Sequence, residues 1–140
     1  MTPKPPTDTD RPHPPLMATP VVAGFPSPAE QYAEGPLDLN AWLVRNPAAT
    51  FFLRVAGDSM TDAGIAPDDV LVVDRSLDAA DGNIVIACVD NEFTVKYFRK
   101  DTTGIRLEAA NARYRPIRFS PGMECRLFGV VTAVIRRFHP

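Results

Sequence analysis

The chain has 140 residues and a formal net charge of −2, with 45% hydrophobic and 23% charged side chains. Nine of its 15 prolines lie in the first 28 positions, which predicts a proline-rich arm followed by one folded domain. The charge argues against a protein whose main task is to bind nucleic acid, because such proteins usually have a strongly basic face. No apolar run approaches the roughly 20 residues of a membrane helix, and no signal peptide is recognisable, so a cytoplasmic protein is expected.

The rare residue types narrow the possible chemistry. The two histidines are His13 in the arm and His139 near the C-terminus, where no rigid scaffold would orient an imidazole. Histidine-based triads and metal sites are therefore not expected, and no metal is predicted. No GxGxxG or GxxxxGK[ST] motif occurs, and no cofactor is predicted. Cys88 and Cys125 lie in apolar runs and are predicted to be buried free thiols.

The first predicted elements are the arm and one helix. Residues 1–23 are too rich in proline to form a packed core and are expected to be an extended, flexible arm. A short helix is predicted over residues 37–46, where Asp38 can cap its start and Pro47 closes its end.

After the helix, the pattern changes to short runs of β-branched and aromatic residues separated by turns. Strands are predicted over residues 50–56, 70–74, 83–89, 92–100, 105–108 and 127–138. Asp90-Asn91 suits the two-residue turn of a tight hairpin. Short strands with turns every eight to twelve residues predict a mainly β domain over residues 24–140, with one or two short helices.

The segment Gly57-Asp58-Ser59-Met60 directly follows the first of these strands. A serine at a strand end beside a glycine can project from a rigid sheet, with nearby backbone N–H groups available to bind an oxyanion. The same pattern also fits a serine that caps the turn after it. The local pattern leaves both interpretations open.

Lys96 is one of three lysines in the chain and lies in the middle of a predicted strand. Strand alternation places it on one face with Thr94 and Phe98. Such a lysine either protects an edge strand from aggregation or is a buried amine. Burial disfavours the ammonium form and lowers the pKa of lysine, which turns it into a usable general base. Patterning alone favours the edge-strand interpretation.

Three sequence segments, taken together, resemble a known protein family. They are residues 23–30 (AGFPSPAE), 57–60 (GDSM) and 93–96 (FTVK), in this order along the chain. They closely resemble the UmuD branch of the LexA/UmuD family of self-cleaving Ser-Lys proteins, over about residues 21–138. The resemblance implies a β domain of the LexA/UmuD C-terminal type, with short, strongly twisted strands and one or two short helices, preceded by a flexible N-terminal arm.

The resemblance also implies a role for individual residues. Ser59 would be the nucleophile and Lys96 its general base, neutral when active. The bond cut would join Ala23 to Gly24, which removes residues 1–23. A small residue followed by glycine suits the close approach of a backbone to a nucleophile.

Residues beside the pair have smaller expected roles. Asp58 and Met60 would flank the oxyanion site and the cleft. Asp58 is expected to be a turn residue, because a lysine base needs no orienting carboxylate. Thr94 could hydrogen-bond the Lys96 amine, although it could equally be an ordinary strand residue.

Partners follow from the resemblance as well. UmuD-type proteins are homodimers whose cleavage is stimulated by a RecA filament on single-stranded DNA. Their shortened form joins a UmuC-type Y-family DNA polymerase as the accessory subunit in error-prone translesion synthesis of the SOS response. No direct sequence-specific DNA binding is expected, because no helix-turn-helix fits the sequence, and no membrane contact is expected. Arg113–Arg118 and Arg136-Arg137 are expected to be solvated strand charges.

Other functions remain open at this stage. One is an interaction module of the same fold that regulates a polymerase without cleaving itself, and another is a repressor-like protein without its DNA-binding domain. A signal-peptidase-like enzyme acting in trans would use related Ser-Lys chemistry. That last alternative is disfavoured by the absence of a recognisable membrane anchor and by the substrate-like segment within the chain.

Overall fold

The computed structural model describes residues 11–18, 20–21, 23, 33–119 and 124–139. The chain divides into two compact units, Met1–Trp42 and Leu43–Pro140. No helix of the described residues is long and apolar enough to cross a membrane.

The first unit contains a pair of antiparallel strands, β1 (Pro15–Met17) and β2 (Ala33–Pro36). The backbone N–H of Leu37 extends the pairing with a 2.8 Å hydrogen bond to the carbonyl oxygen of Pro14. The sequence predicted no strand in the arm, so β1 is an addition to the expected fold. A proline-rich segment can form it because the fixed φ of proline is compatible with an extended edge strand.

The helix α1 (Leu39–Leu43) is shorter than predicted and has a single turn. Asp38 caps it as expected, since its Oδ1 accepts a 3.2 Å hydrogen bond from the backbone N–H of Ala41. Leu39 and Trp42 are 55% and 64% exposed. The helix therefore gains little from burial, which is the usual source of helix stability in proteins.

Seven strands form one antiparallel sheet in the described part of the second unit, in the order β3–β4–β9–β5–β6–β7–β8. The strands are β3 (Thr50–Arg54), β4 (Val70–Asp74), β5 (Ile84–Val89), β6 (Glu92–Asp101), β7 (Gly104–Glu108), β8 (Ile117–Arg118) and β9 (Cys125–Ile135). Two 3₁₀ turns, Pro47–Ala49 and Thr61–Ala63, lie before and after β3. The predicted mainly β fold is confirmed, and the two-residue strand β8 was not predicted.

The turn between β5 and β6 has the geometry that its sequence predicts. Asp90 and Asn91 have φ angles of 48° and 66°, and two successive positive φ angles are characteristic of the type I′ hairpin turn. Glu92 pairs with Val89, which closes the turn after two residues. This tight turn fixes the register of β6 and therefore places Lys96 opposite Val85.

Buried apolar side chains form two clusters. The first contains Val55, Met60, Ile65, Leu71, Val73 and Ile86, and the second contains Val85, Ala87, Phe98, Leu107 and Val130. Neighbouring residues of β5, Val85 and Ile86, belong to different clusters, as the alternation of side chains along a strand requires. Both faces of this central strand are therefore buried.

A glycine of β9 and the two cysteines complete the description of this unit. Gly129 packs so closely that an added Cβ would lie 2.6 Å from Val73 Cγ1, so a larger residue would disturb the contact between β9 and β4. Cys88 and Cys125 are free thiols, as expected, but both are half-buried rather than fully buried.

Candidate active site

Ser59 lies in a turn that begins where β3 ends. Gly57 has a φ of 87°, a left-handed conformation that glycine adopts without steric strain. Met60, the residue after Ser59, is only 1% exposed and belongs to the first core cluster. The turn is therefore fixed to the core one residue from the serine, while Ser59 itself is half-buried.

Lys96 is a buried amine and not an edge-strand charge. Its strand, β6, lies between β5 and β7 in the sheet, and the residue is 8% exposed. The edge interpretation that patterning favoured is wrong, because alternation identifies the face of a lysine but not the number of strands beside it.

The structure brings Lys96 and Ser59 together across 37 residues of sequence. Lys96 Nζ lies 2.9 Å from Ser59 Oγ, 2.8 Å from Thr94 Oγ1 and 3.0 Å from the carbonyl oxygen of Val95. These three oxygens match the three N–H donors of an ammonium group. Thr94 thus lies at hydrogen-bonding distance from the amine.

Burial shifts the protonation equilibrium of Lys96 toward the neutral amine. Burial lowers the pKa of Lys96 from its ordinary value, because the ammonium form loses its hydration. Among the described residues, no carboxylate lies within ion-pair distance of the Lys96 amine. A neutral amine has a lone pair that can accept the Ser59 hydroxyl proton, so the pair can activate a serine for nucleophilic attack.

Two backbone donors beside the serine are available. Neither the N–H of Ser59 nor the N–H of Met60 donates a hydrogen bond to any described residue. Free N–H groups next to a serine nucleophile can stabilise an oxyanion.

A cleft of about 210 Å³ opens next to Ser59. Its walls are mostly apolar and come from β3 and the two residues after it, from β4, and from the β5–β6 hairpin: Leu53, Arg54, Val55, Ala56, Leu71, Ile86, Phe93, Thr94 and Val95. A cleft of this size and polarity is suited to small aliphatic side chains.

Asp58 does not face the lysine. Its carboxylate accepts hydrogen bonds from the hydroxyl of Tyr114 at 2.6 Å and from Arg113 Nη2 at 2.5 Å. The hydrogen bond from Tyr114 and the charge of Arg113 lower the pKa of this carboxyl. Asp58 is therefore a turn residue with partners of its own, and its carboxylate is not a third member of the Ser59–Lys96 pair.

The partners of Asp58 were missed by sequence reasoning. Arg113 was expected to be a solvated strand charge, yet it contacts Asp58 across 55 residues of sequence. Asn111 also reaches the turn, since its Nδ2 donates a 2.9 Å hydrogen bond to the carbonyl oxygen of Asp58. No local pattern marks these residues, because they lie in a connection without regular secondary structure.

The predicted cleavage site is only partly described. Ala23 is an exposed turn residue, and Gly24 lies outside the described residues. Within the described part of the chain, no group of three or more histidine, cysteine or acidic side chains could hold a metal ion.

Comparison with known proteins assigns the chain to a family. The Peptidase S24-like family matches residues 15–132. The chain belongs to the Peptidase S24-like family. This assignment agrees with the LexA/UmuD resemblance of its motifs.

Individual relatives match between 54% and 88% of the chain. Protein ImpA of Escherichia coli is 47% identical over 124 residues, which is 88% of this chain and 83% of ImpA. Protein MucA of Salmonella typhimurium is 59% identical over 76 residues, 54% of this chain and 52% of MucA. The LexA repressor of Sorangium cellulosum is 40% identical over 119 residues, 84% of this chain and 52% of the repressor.

Proposed function

We propose that this chain is a self-cleaving serine endopeptidase that cuts its own Ala23-Gly24 bond with Ser59 as nucleophile and Lys96 as general base. The observation that carries the proposal is the 2.9 Å contact between Ser59 Oγ and a buried lysine amine. Membership of a peptidase family adds independent support.

The proposed reaction is an acyl transfer in two steps. The neutral amine of Lys96 takes the proton of the Ser59 hydroxyl while Oγ attacks the carbonyl carbon of Ala23. The C–N bond to Gly24 then breaks, and the departing amine of Gly24 takes a proton from Lys96. Water, deprotonated by Lys96, finally attacks the carbonyl carbon of the ester between Ser59 and Ala23. The ester bond breaks, Ser59 Oγ takes the proton back from Lys96, and the fragment that ends at Ala23 is released as a carboxylate.

Two features of the site suit this substrate. The N–H groups of Ser59 and Met60 donate to no described residue and can hold the oxygen of the tetrahedral intermediate. Hydrogen bonds of this kind are among the largest contributions to catalysis. The apolar cleft of about 210 Å³ fits a strand-like segment with small aliphatic side chains, such as Val21-Val22-Ala23. The substrate segment would come from the same chain or from the second chain of a homodimer.

The wider role is proposed from the family resemblance. A RecA filament on single-stranded DNA would stimulate the cleavage as part of the SOS response in the cytoplasm. The shortened homodimer would then act as the accessory subunit of a UmuC-type Y-family translesion polymerase. The described residues offer no helix-turn-helix, so DNA contact would come through these partners.

The proposal is tested by the intact mass of the purified protein after incubation between pH 7 and pH 10, with and without RecA filament. The rate of loss of residues 1–23 is expected to rise with pH and to level off near the lowered pKa of Lys96, because only the free amine is a base. Ser59→Ala should abolish cleavage. Lys96→Ala should slow it by about 10²–10⁴-fold, the usual contribution of a general base.

Lys96→Arg distinguishes a base from a mere positive charge. Arginine stays protonated in proteins, so this variant should be as inactive as Lys96→Ala. The matched control is Lys100→Arg, an exposed lysine on the same strand, which should cleave at the parent rate. Cleavage by Lys96→Arg at the parent rate, or a rate that stays flat from pH 7 to pH 10, would contradict Lys96 as the general base. Absence of cleavage in the parent under every condition would favour the non-cleaving interaction module.

A further inference from the structure

The turn that carries Ser59 is held from outside by a second loop. This loop, residues 110–114, follows β7 and has no regular secondary structure. Its backbone reaches the turn at two points. The N–H of Asp62 donates a 2.7 Å hydrogen bond to the carbonyl oxygen of Ala110, and the N–H of Ala110 lies 3.3 Å from Met60 Sδ.

Side chains of the 110–114 loop hold the residue directly before the serine. Asn111 Nδ2 binds the carbonyl oxygen of Asp58 at 2.9 Å, and Tyr114 and Arg113 bind the two carboxylate oxygens of Asp58. Both the backbone and the side chain of Asp58 are thus fixed by one loop.

The 110–114 loop is itself braced by Asn111. Asn111 Oδ1 accepts a 3.0 Å hydrogen bond from the N–H of Arg113, and its carbonyl oxygen accepts a 3.1 Å hydrogen bond from the N–H of Tyr114. These internal bonds set the direction in which the side chains of Arg113 and Tyr114 leave the loop. The geometry at Asp58 therefore depends on a preformed structure and not on two independent flexible side chains.

The two halves of the Ser59–Lys96 pair are positioned by different parts of the unit. Lys96 is held by its own strand, through Thr94 and Val95. Ser59 is placed by the turn and hence by the loop that binds Asp58. A displacement of the 110–114 loop would move Ser59 and leave Lys96 in place.

We infer that Asp58, Asn111 and Tyr114 are positioning residues that hold Ser59 Oγ at hydrogen-bonding distance from the Lys96 amine. This inference rests on the proposed function, because it assigns a catalytic consequence to the Ser59–Lys96 contact. The residues act through Ser59 and make no hydrogen bond to the Lys96 amine. Arg113 contributes less, since its side chain is 74% exposed and such ion pairs are weakened by solvent.

The first test is the cleavage rate of Tyr114→Phe and Asp58→Asn across the same pH range. Each substitution keeps the shape of the side chain. Tyr114→Phe removes the hydroxyl that donates to Asp58, and Asp58→Asn removes the charge of the carboxylate. The rate on the alkaline plateau should fall by about 10- to 100-fold, because small displacements of a reacting group have effects of that size. The pH at which the rate levels off should change little, since the burial that lowers the pKa of Lys96 is not altered.

The matched control is Arg115→Ala. Arg115 follows the loop directly, is exposed, and makes no hydrogen bond within the described part of the chain. It removes a positive charge from the same region and should cleave at the parent rate. Thermal melts accompany every variant, and Tyr114→Phe removes only one hydroxyl from a 45% exposed side chain, so a folded protein is expected.

A second readout does not depend on cleavage. In Ser59→Cys, the proton of the introduced thiol can pass to the nearby Lys96 amine and form a thiolate–ammonium pair, which should lower the apparent pKa of that thiol. Site-resolved alkylation with iodoacetamide measures this pKa by peptide mass and separates the new thiol from Cys88 and Cys125. Addition of Tyr114→Phe or Asp58→Asn should slow alkylation at neutral pH toward the rate measured in Ser59→Cys/Lys96→Ala.

The outcomes separate the inference from the proposed function. If Lys96→Ala leaves the pKa of the introduced thiol unchanged, the Ser59–Lys96 pair itself fails. If Lys96→Ala shifts that pKa but Tyr114→Phe and Asp58→Asn do not, the positioning inference alone is overturned. A slower cleavage with an unchanged thiol pKa would also overturn it, because the loop would then act elsewhere than on the pair.

Discussion

Lys96 places an amine inside the sheet, and none of the described carboxylates lies beside it. Its three hydrogen-bond partners are uncharged oxygens, and burial lowers its pKa. A group with a lowered pKa in the folded state binds fewer protons there than in the unfolded state. For lysine this means that folding disfavours the charged form. The site therefore shifts the amine toward its free form at the expense of stability.

The consequence can be measured as a pH-dependent difference in stability between the parent and Lys96→Met. Below the folded-state pKa, the parent carries the full penalty of a buried ammonium. As the pH rises from the folded-state pKa to the unfolded value of about 10.4, the penalty disappears. The free energy of unfolding of the parent, measured with urea, should therefore rise relative to that of Lys96→Met over this range.

Lys100→Met is the matched control for this measurement. Lys100 lies on the same strand with its side chain exposed, so its substitution should give a difference from the parent that does not change with pH. Lost hydrogen bonds at Thr94 and Val95 add a constant to the Lys96→Met difference but no slope. If the difference in free energy of unfolding between the parent and Lys96→Met stayed constant from pH 7 to pH 10, folding would not disfavour the ammonium form of Lys96.

Among the connections between elements, the ion pair of Asp69 with Arg136 joins the start of β4 to the end of β9. Asp69 is 2% exposed, and its carboxylate accepts hydrogen bonds from Arg136 Nε at 2.7 Å and Nη2 at 2.6 Å, and from the N–H of Ala66 at 2.8 Å. The hydrogen bonds from Arg136 lower the pKa of Asp69. Arg136 was expected to be solvated, and instead it neutralises a buried carboxylate.

Removal of this partner should destabilise the protein. Arg136→Ala leaves a buried carboxylate without its charge partner, and breaking such a pair costs about 3–5 kcal/mol when both groups are buried. Because the Arg136 side chain is 43% exposed, we expect a loss in urea unfolding at neutral pH that is smaller than for a fully buried pair but larger than for an exposed one. Arg137→Ala, which removes the neighbouring exposed arginine, should change stability by less than about 0.5 kcal/mol.

Acidic pH should reduce the stability loss caused by Arg136→Ala. The stability contributed by Asp69 is present above its unfolded-state pKa of about 3.9 and is lost as the pH falls through its lowered folded-state value. The difference between the parent and Arg136→Ala should therefore shrink below about pH 4. Equal stability losses for Arg136→Ala and Arg137→Ala would contradict a specific role of the buried pair.

The elements show how far sequence reasoning reaches. The strand β4 has its predicted bounds, and the hairpin at Asp90-Asn91 follows from residues that tolerate positive φ. The proximity of Ser59 and Lys96 came from the family resemblance and not from strand patterning. The contacts of Asn111 and Tyr114 with Asp58 could not be predicted, because they join distant segments through a loop that has no periodicity.

At the scale of the whole chain, the proposed cut falls between two strands that pair with each other. In the first unit, β1 precedes the Ala23-Gly24 bond and β2 follows it. Before cleavage, the chain between them keeps the strands together at a high effective concentration. After cleavage, this pairing becomes an association between two separate chains.

The pairing of β1 with β2 is too small to survive that change. β1 has three residues, all exposed, and an isolated two-stranded hairpin is at best marginally stable even when its strands are connected. The His13–Asp38 pair, 3.5 Å apart with both side chains 43% exposed, adds about 0–1 kcal/mol. We therefore expect the fragment of residues 1–23 to leave the remaining chain once the bond is cut.

Size-exclusion chromatography of the cleaved protein, followed by mass analysis of each fraction, measures this directly. The fragment of residues 1–23 should elute separately from residues 24–140 at micromolar concentration. Ser59→Ala provides the uncleaved reference, because it should elute with residues 1–23 still attached. It is mixed with the cleaved protein so that both are compared in one run. If the fragment instead co-elutes in equal amounts with the remainder, contacts beyond the β1–β2 pairing hold the arm. Cleavage alone would then not release the arm.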